Sequence, residues 1–426
     1  MLGKLDFWES GSQNSSMDYL PRIIEERLID LFRHFPVLAV LGSRQAGKTT
    51  LVEHLPIEKL KTVVFDPTQD LMGARRDPDL FLQGQPVPLF LDEVQYAPEL
   101  LASIKRRVDR DRQPGQYILS GSQNLAVLRN VSESLAGRVA VLRLLPMCLA
   151  ELGDRVEKRG ILERILFEDD FDPLKHDCGP SRSAFEAIWR GGMPGLIGMP
   201  DRLFSDYFGS YAQTYIERDV RTAAQIGALQ TFGRFFGLLS ALTASELNHH
   251  QLGRELGIDR KTAKSWTEIA SATYQWFEIP AYSRNAIKRI AGKPKGYLSD
   301  TGLACHLQRI TSPDGVAAHP LAGALFETFV VLEVFKRMES WPMRPGLFHF
   351  RAYSGAEVDL LLEMDGVLHP VEIKMTSNPT NRDCRGFDGL AACFPGIRLG
   401  TGLVIAACEE VRQLRENVYA IPWWCL

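Results

Sequence analysis

The stretch LAVLGSRQAGKTTL, residues 38–51, constrains this chain more than any other, because an apolar strand, a glycine-bounded loop and a helix start follow one another without a break. Gly42 to Thr49 fit GxxxxGK[ST] at every position, the spacing by which a loop wraps a polyphosphate. Gly42 and Gly47 let the backbone turn and approach the phosphates closely, and the amides from Arg44 to Thr49 then point inward at a helix N-terminus. The expected nucleotide contacts are therefore Gly42, Ser43, Arg44, Gln45, Ala46, Gly47, Lys48, Thr49 and Thr50. Within that set Lys48 is expected to reach the β- and γ-phosphates, and the Thr49 hydroxyl to ligate Mg²⁺.

Such a loop needs a parallel sheet behind it, and the chain supplies the strands. TVVFDP, VPLFLDEVQ and QYILSGSQ alternate with helical stretches and read as continuous apolar runs, which predicts a sheet covered on both faces. VPLFLDEVQ ends in Asp92 and Glu93, at the strand end where such sheets present ligands. Asp92 suits the Mg²⁺ shell, and Glu93 suits the base that orients a water on the γ-phosphate. QYILSGSQ ends in Ser120, Gly121, Ser122 and Gln123, polar groups that suit a γ-phosphate or its attacking water, while Ser122 equally suits a helix N-cap. Arg138 stands just before an apolar strand, where it is either a solvated arginine or a finger reaching a neighbouring subunit's ATP. Arg190, beside a double glycine, reads as a second sensing arginine or, more simply, as part of a turn.

The second half carries different chemistry. HHQLGRELGIDRKTAKSWTEIA reads as two helices joined at Gly257, a helix-turn-helix, with Arg260, Lys261 and Lys264 at the exposed start of the second helix. The following AYSRNAIKRIAGKPKGY has five basic and no acidic residues, and reads as a basic wing bearing Lys288, Arg289, Lys293 and Lys295. The same fold also serves protein contacts alone, and that alternative stays open. Further on, Asp365-Gly366 between VDLLLEM and VLHPVEIK is a two-residue hairpin turn. Counting back from it sets Asp359 opposite Glu372 and Glu357 opposite Lys374, all on one face. Opposed carboxylates repel, so a divalent cation held by Asp359 and Glu372, with Glu327 from LFETFVVLEV, is expected, against the alternative of a solvated face with a Glu357–Lys374 ion pair.

The motifs RQAGKTTL, FLDEVQ, LSGSQ and ESLAGR, followed by GGMPG, YIERDV, KGYLSDTGLA, GALFETFV, EVDLLLE and VEIK, span nearly the whole sequence. In this combination the chain resembles prokaryotic AAA+ superfamily ATPases whose C-terminal half is a domain of unknown function. The resemblance implies an α/β P-loop NTPase domain, a helical winged-helix-like middle and an α/β C-terminal domain similar to PD-(D/E)xK nucleases. It assigns Lys48 and Thr49 to Walker A, Asp92 and Glu93 to Walker B, Ser120 to sensor 1 and Arg138 to the finger, and it makes Asp359, Glu372 and Lys374 a possible nuclease set. The expected divisions are a flexible tail over 1–18, the ATPase core over 19–152, a lid and charged linker over 153–227, the winged helix over 228–305 and the nuclease-like domain over 306–426.

The expected activity is hydrolysis of ATP with Mg²⁺ by a homo-oligomer, favoured as a hexamer, that remodels branched or forked DNA. Two alternatives remain: a STAND-like signalling switch acting on a protein partner, and an ATP-gated nuclease. A net charge of −3 gives no global attraction to nucleic acid, so a local patch must serve. No apolar run approaches the ~18 residues of a membrane span, and the acidic, serine-rich start lacks a leader's apolar stretch, so a cytoplasmic protein with no membrane partner is expected. The seven cysteines lie far apart with no CxxC, which suits reduced thiols.

Overall fold

The computed structural model describes residues 19–122, 135–153, 156, 159–179, 182–221, 228–285, 292–352 and 355–426. The expected tail over 1–18 and Gln123 lie outside these residues. Strands β1 (Val37–Leu41), β2 (Lys61–Val64), β3 (Leu89–Asp92), β4 (Tyr117–Gly121) and β5 (Val139–Arg143) form a parallel sheet in the order β2-β3-β4-β1-β5. β1, β3 and β4 are buried along their whole length, so both faces must be covered. Leu100, Leu101, Ile104 and Val108 of the helix Leu100–Arg110 pack with Val37, Ala39 and Leu41 on one side. On the other, the helices Glu25–His34 and Lys48–Glu53 bring Leu28, Phe32, Leu51 and Val52 against Leu38 and Val40.

The expected helix pair of the middle region forms over His249–Leu256 and Arg260–Ala272. Gly257 takes the left-handed conformation, φ 69°, that ends the first helix, and the Asp259 side chain caps the second by accepting from the Thr262 N–H at 2.9 Å. With the preceding helix Leu229–Ala241 and the antiparallel strands β6 (Ser245–Glu246), β7 (Trp276–Ile279) and β8 (Lys295–Leu298), ordered β6-β8-β7, this is a winged-helix-like arrangement. Phe232, Phe235 and Trp266 fill its centre, with ring centroids 5.4 to 5.5 Å apart.

The C-terminal sheet contains β9 (Gly346–Arg351), β10 (Glu357–Met364), β11 (Val367–Lys374), β12 (Arg398–Leu399), β13 (Gly402–Ala406), β14 (Arg412–Arg415) and β15 (Val418–Pro422). It runs β14-β15-β13-β11-β10-β9, with β12 beside β11. Asp365 and Gly366 both have positive φ, 52° and 75°, as a two-residue hairpin turn requires. The predicted register holds from Met364 opposite Val367 to Leu360 opposite Val371. The helix Ala322–Met338 packs on one face of this sheet through Leu325, Phe326 and Phe329, and the helix Arg385–Cys393 on the other through Phe387 and Leu390.

One hydrophobic core runs from Leu149 to Leu426 and takes in the helices after β5, the winged helix and one face of the C-terminal sheet. Polar groups fasten the parallel sheet to it. The Leu149 N–H donates to Glu333 at 2.7 Å, Lys336 donates to the Met147 carbonyl at 2.8 Å, and Arg143 pairs with Glu339 at 2.7 Å. The expectation of reduced thiols fails at two positions: Cys178 and Cys425, 247 residues apart in sequence, are joined in a disulfide with Cα atoms 4.8 Å apart. Sequence spacing carries no sign of such a bond because the fold alone brings its ends together.

Candidate active site

The phosphate loop leaves β1 beneath the segment that follows β5. A Cβ at position 42 would collide with the Leu144 carbonyl oxygen, so Gly42 is required by this crossing. Gly47 has φ 89° and precedes the helix Lys48–Glu53, whose first turn aims its amides into the loop. The Lys48 ammonium donates to the carbonyls of Gly42 at 3.0 Å and Ser43 at 2.9 Å. Burial pulls its pKa below the ordinary lysine value, and the carboxylates of Glu93 and Asp92 act in the opposite sense.

The acidic pair sits where the sequence put it, at the C-terminal end of β3. Asp92 is buried, and its Oδ2 accepts from the Thr49 hydroxyl at 2.6 Å. These hard oxygen donors in contact fit Mg²⁺, which would supply charge neutralisation at the phosphates. Glu93 adopts the left-handed conformation, φ 57°, and its N–H donates to Asp92 Oδ1 at 3.0 Å and to Ser120 Oγ at 3.1 Å. Ser120 also donates to Asp92, so its hydroxyl bridges the Asp92 carboxylate and the Glu93 amide. Gln95 donates to the Glu93 carboxylate and to Ser122 Oγ, the latter at 3.3 Å.

Several site residues come from outside the phosphate loop and the strand ends. Arg22 donates to the Ala46 carbonyl within the phosphate loop and to the Leu145 carbonyl, each at 2.8 Å, and pairs with Glu151 at 2.9 Å. Arg44 is held by Asp219, which comes from YIERDV far along the chain, and Tyr207 donates to Gln45 at 2.9 Å. A cavity of about 490 Å³ opens beside Gln45, Lys48, Thr49 and Glu93, with Tyr19, Leu20, Met147, Pro194 and Ile197 on its apolar wall. Those residues were not legible as site residues, because nothing in their local spacing marks them.

Arg138 immediately precedes β5, at the end of the sheet opposite its own phosphate loop. It pairs with Asp109 at 2.5 Å. Arg190 pairs with Glu186 at 3.2 Å and Asp201 at 2.8 Å, and Gly191 (φ 67°) lets the chain turn against Asp300, which supports the turn reading.

The C-terminal constellation assembles, with a correction. Where a divalent cation was expected, the Lys295 ammonium stands 2.7 Å from Glu327 and 3.3 Å from both Glu357 and Asp359. Lys295 is only 5% exposed, so its placement in a DNA-facing wing is overturned: β8 turns it inward. Lys374 pairs with Glu372 at 2.5 Å rather than with Glu357, and Asp359 accepts the Ile373 N–H at 2.9 Å where the strand ladder stops. Among the described residues no group of three or more His, Cys, Asp or Glu is placed to hold a metal ion. Burial, with Asp359 adding repulsion, pushes Glu327 up to about 7 and Glu372 up to about 8. On the winged helix, Arg260, Lys261, Lys264 and Lys293 are exposed, with Lys264 near Glu268 at 3.8 Å. Lys288 and Arg289 lie outside the described residues.

A parallel sheet in this order, a glycine-bounded phosphate loop, and a buried acid at the end of β3 that bonds Thr49 and Ser120 fit a P-loop ATPase domain. The comparisons agree: residues 34–153 match the family described as an AAA domain, residues 181–314 a domain of unknown function (DUF8612), and residues 322–426 another (DUF4143). Residues 34–153 thus form an AAA-type ATPase domain, and the later half of the chain matches domains of unknown function. Uncharacterized proteins of Mycobacterium tuberculosis and Mycobacterium bovis are each 28% identical over 403 residues, covering 93% of this chain and 82% of theirs. Among solved structures, the Walker-type ATPase of Pyrococcus abyssi aligns with TM-score 0.44 and 17% identity over 68% of this chain and 96% of that one. The RuvB Holliday junction branch migration motor of Thermotoga maritima aligns with TM-score 0.30 and 15% identity over 63% and 94%. No helix among the described residues is long and apolar enough to cross a membrane.

Proposed function

We propose that this ATPase works as a homo-oligomer, favoured as a hexamer, which binds DNA through its winged helix and uses ATP hydrolysis to remodel branched or forked duplex. The observation that carries the DNA reading is the placement of Arg260, Lys261 and Lys264 on the exposed first turns of the second helix, with Lys293 exposed at the wing. Such a helix start is where this motif meets the major groove and its flanking phosphates. Lys48 and Glu93 act on the γ-phosphate and its water, Thr49 and Asp92 hold Mg²⁺, and Arg138, placed away from this chain's own phosphate loop, serves a neighbouring subunit as a finger. The proposed divisions remain 19–152, 153–227, 228–305 and 306–426, the last three sharing one core.

The test is the steady-state ATPase rate with linear, forked and four-way-junction DNA at two salt concentrations, beside Lys48→Ala. Stimulation by one DNA form, absent in that variant, is expected. Replacing Arg260, Lys261 and Lys264 by alanine should also weaken DNA binding and lower the slope of log affinity against log salt by about one unit for each phosphate no longer neutralised. An ATPase that no DNA stimulates would instead favour the switch with a protein partner. The gated-nuclease reading has only the shared face of Asp359, Glu372 and Lys374 in its support, and Lys295 weighs against it.

A further inference from the structure

Arg44, the third residue of the phosphate loop, is bound to a distant part of the chain. Its Nε donates to both carboxylate oxygens of Asp219, at 2.6 and 2.7 Å, and its Nη2 donates to the Tyr96 hydroxyl at 3.0 Å. Its Nη1 makes no hydrogen bond to the described residues. Asp219 is 3% exposed, and a charge buried to that degree is held only where it is paired. Burial would lower the Arg44 pKa, and the Asp219 carboxylate more than reverses this, so the guanidinium is a fixed positive charge. Glu93 and Lys48, the two groups that address the γ-phosphate, both feel it.

We propose that Arg44 is a γ-phosphate ligand supplied by the chain's own phosphate loop, and that Asp219 is the positioning residue that aims it. The proposal rests on the ATPase reading and deepens it. A guanidinium offers N–H groups in a rigid fork. Holding Nε and Nη2 fixes the plane, and Nη1 is the donor that the proposal gives to the terminal phosphoryl oxygens. In hydrolysis the water oxygen bonds to the γ-phosphorus as its proton passes to Glu93, the bond from that phosphorus to the β–γ bridging oxygen breaks, and ADP and inorganic phosphate leave. Arg44 transfers no proton in this step; it stabilises charge on the γ-phosphoryl oxygens. Asp219 lies on the π-helical turn Tyr215–Val220, where Tyr215 packs against Phe236 at 5.1 Å and bonds Thr273 of the winged helix at 2.9 Å. The same carboxylate therefore connects γ-phosphate occupancy with the winged-helix core.

Calorimetric titration of the full chain with Mg²⁺-AMP-PNP and Mg²⁺-ADP separates the γ-phosphate from the rest of the nucleotide. Arg44→Ala should weaken AMP-PNP binding about tenfold or more, the scale of one charge-assisted hydrogen bond, with ADP affinity almost unchanged. Asp219→Ala should move in the same direction, Asp219→Glu should recover part of the loss, and kcat should fall in parallel with the lost discrimination. Arg44→Lys keeps the charge without the fork and guards against misfolding; it should fall between wild type and Arg44→Ala. Equal weakening of both nucleotides, or unchanged discrimination in an active ATPase, would overturn this proposal alone. Wild-type protein that binds neither nucleotide would overturn the ATPase reading with it.

Discussion

At the scale of single residues, the phosphate loop is defined by what cannot be added to it. Gly42 faces the Leu144 carbonyl so closely that a methyl has no room, and backbone cannot move aside as a flexible side chain would. Gly42→Ala should therefore cost about 1–3 kcal/mol of stability and abolish ATP turnover, checked by thermal unfolding and by ATPase rate. This part of the site was readable because its chemistry is local: Lys48, Thr49, Asp92, Glu93 and Ser120 all stand within a few residues of a strand end. Arg22, Tyr207 and Asp219 were not readable as site residues. Each reaches the loop through its side chain from another element, and only the packing decides which polar group arrives.

At the scale of elements, turn chemistry was the most dependable guide. The Asp365-Gly366 turn fixed the register of β10 and β11, and Gly257 with Asp259 fixed the helix pair. Charge was the least dependable guide, because a strand bearing Lys295 reads equally well as a wing facing DNA or as one face of a buried cluster. The cluster has a consequence for pH. Glu327 and Glu372 are pushed up from 4.5 to about 7 and about 8, so the folded chain binds their protons more tightly than the unfolded chain does. Their stabilising share is complete below the unfolded value and is lost as pH rises through the folded values. The Tm should therefore fall from about pH 5 to about pH 9, and Glu372→Gln, which carries no titrating proton, should flatten that slope. A Tm that rises over this range, or an unchanged slope in the variant, would exclude the effect.

At the scale of the whole molecule, the Cys178–Cys425 bond closes a loop of sequence separation 247 and ties the region after the ATPase sheet to the final strand's end. By loop-closure entropy such a link is worth about 5 kcal/mol against unfolding. Reductant should lower the Tm of the wild type and leave Cys178→Ser unaffected, while Cys393→Ser, at an exposed free thiol, should respond to reductant as the wild type does. Lys295 sets a different limit on the molecule. It belongs to the winged helix by sequence, yet it pairs with Glu327, Glu357 and Asp359 of the terminal domain, and removing one partner of a buried pair costs about 3–5 kcal/mol. A gene fusion that kept the terminal sheet and replaced the winged helix would inherit three carboxylates without their cation. Recombination can exchange these two units only together, as one heritable cassette.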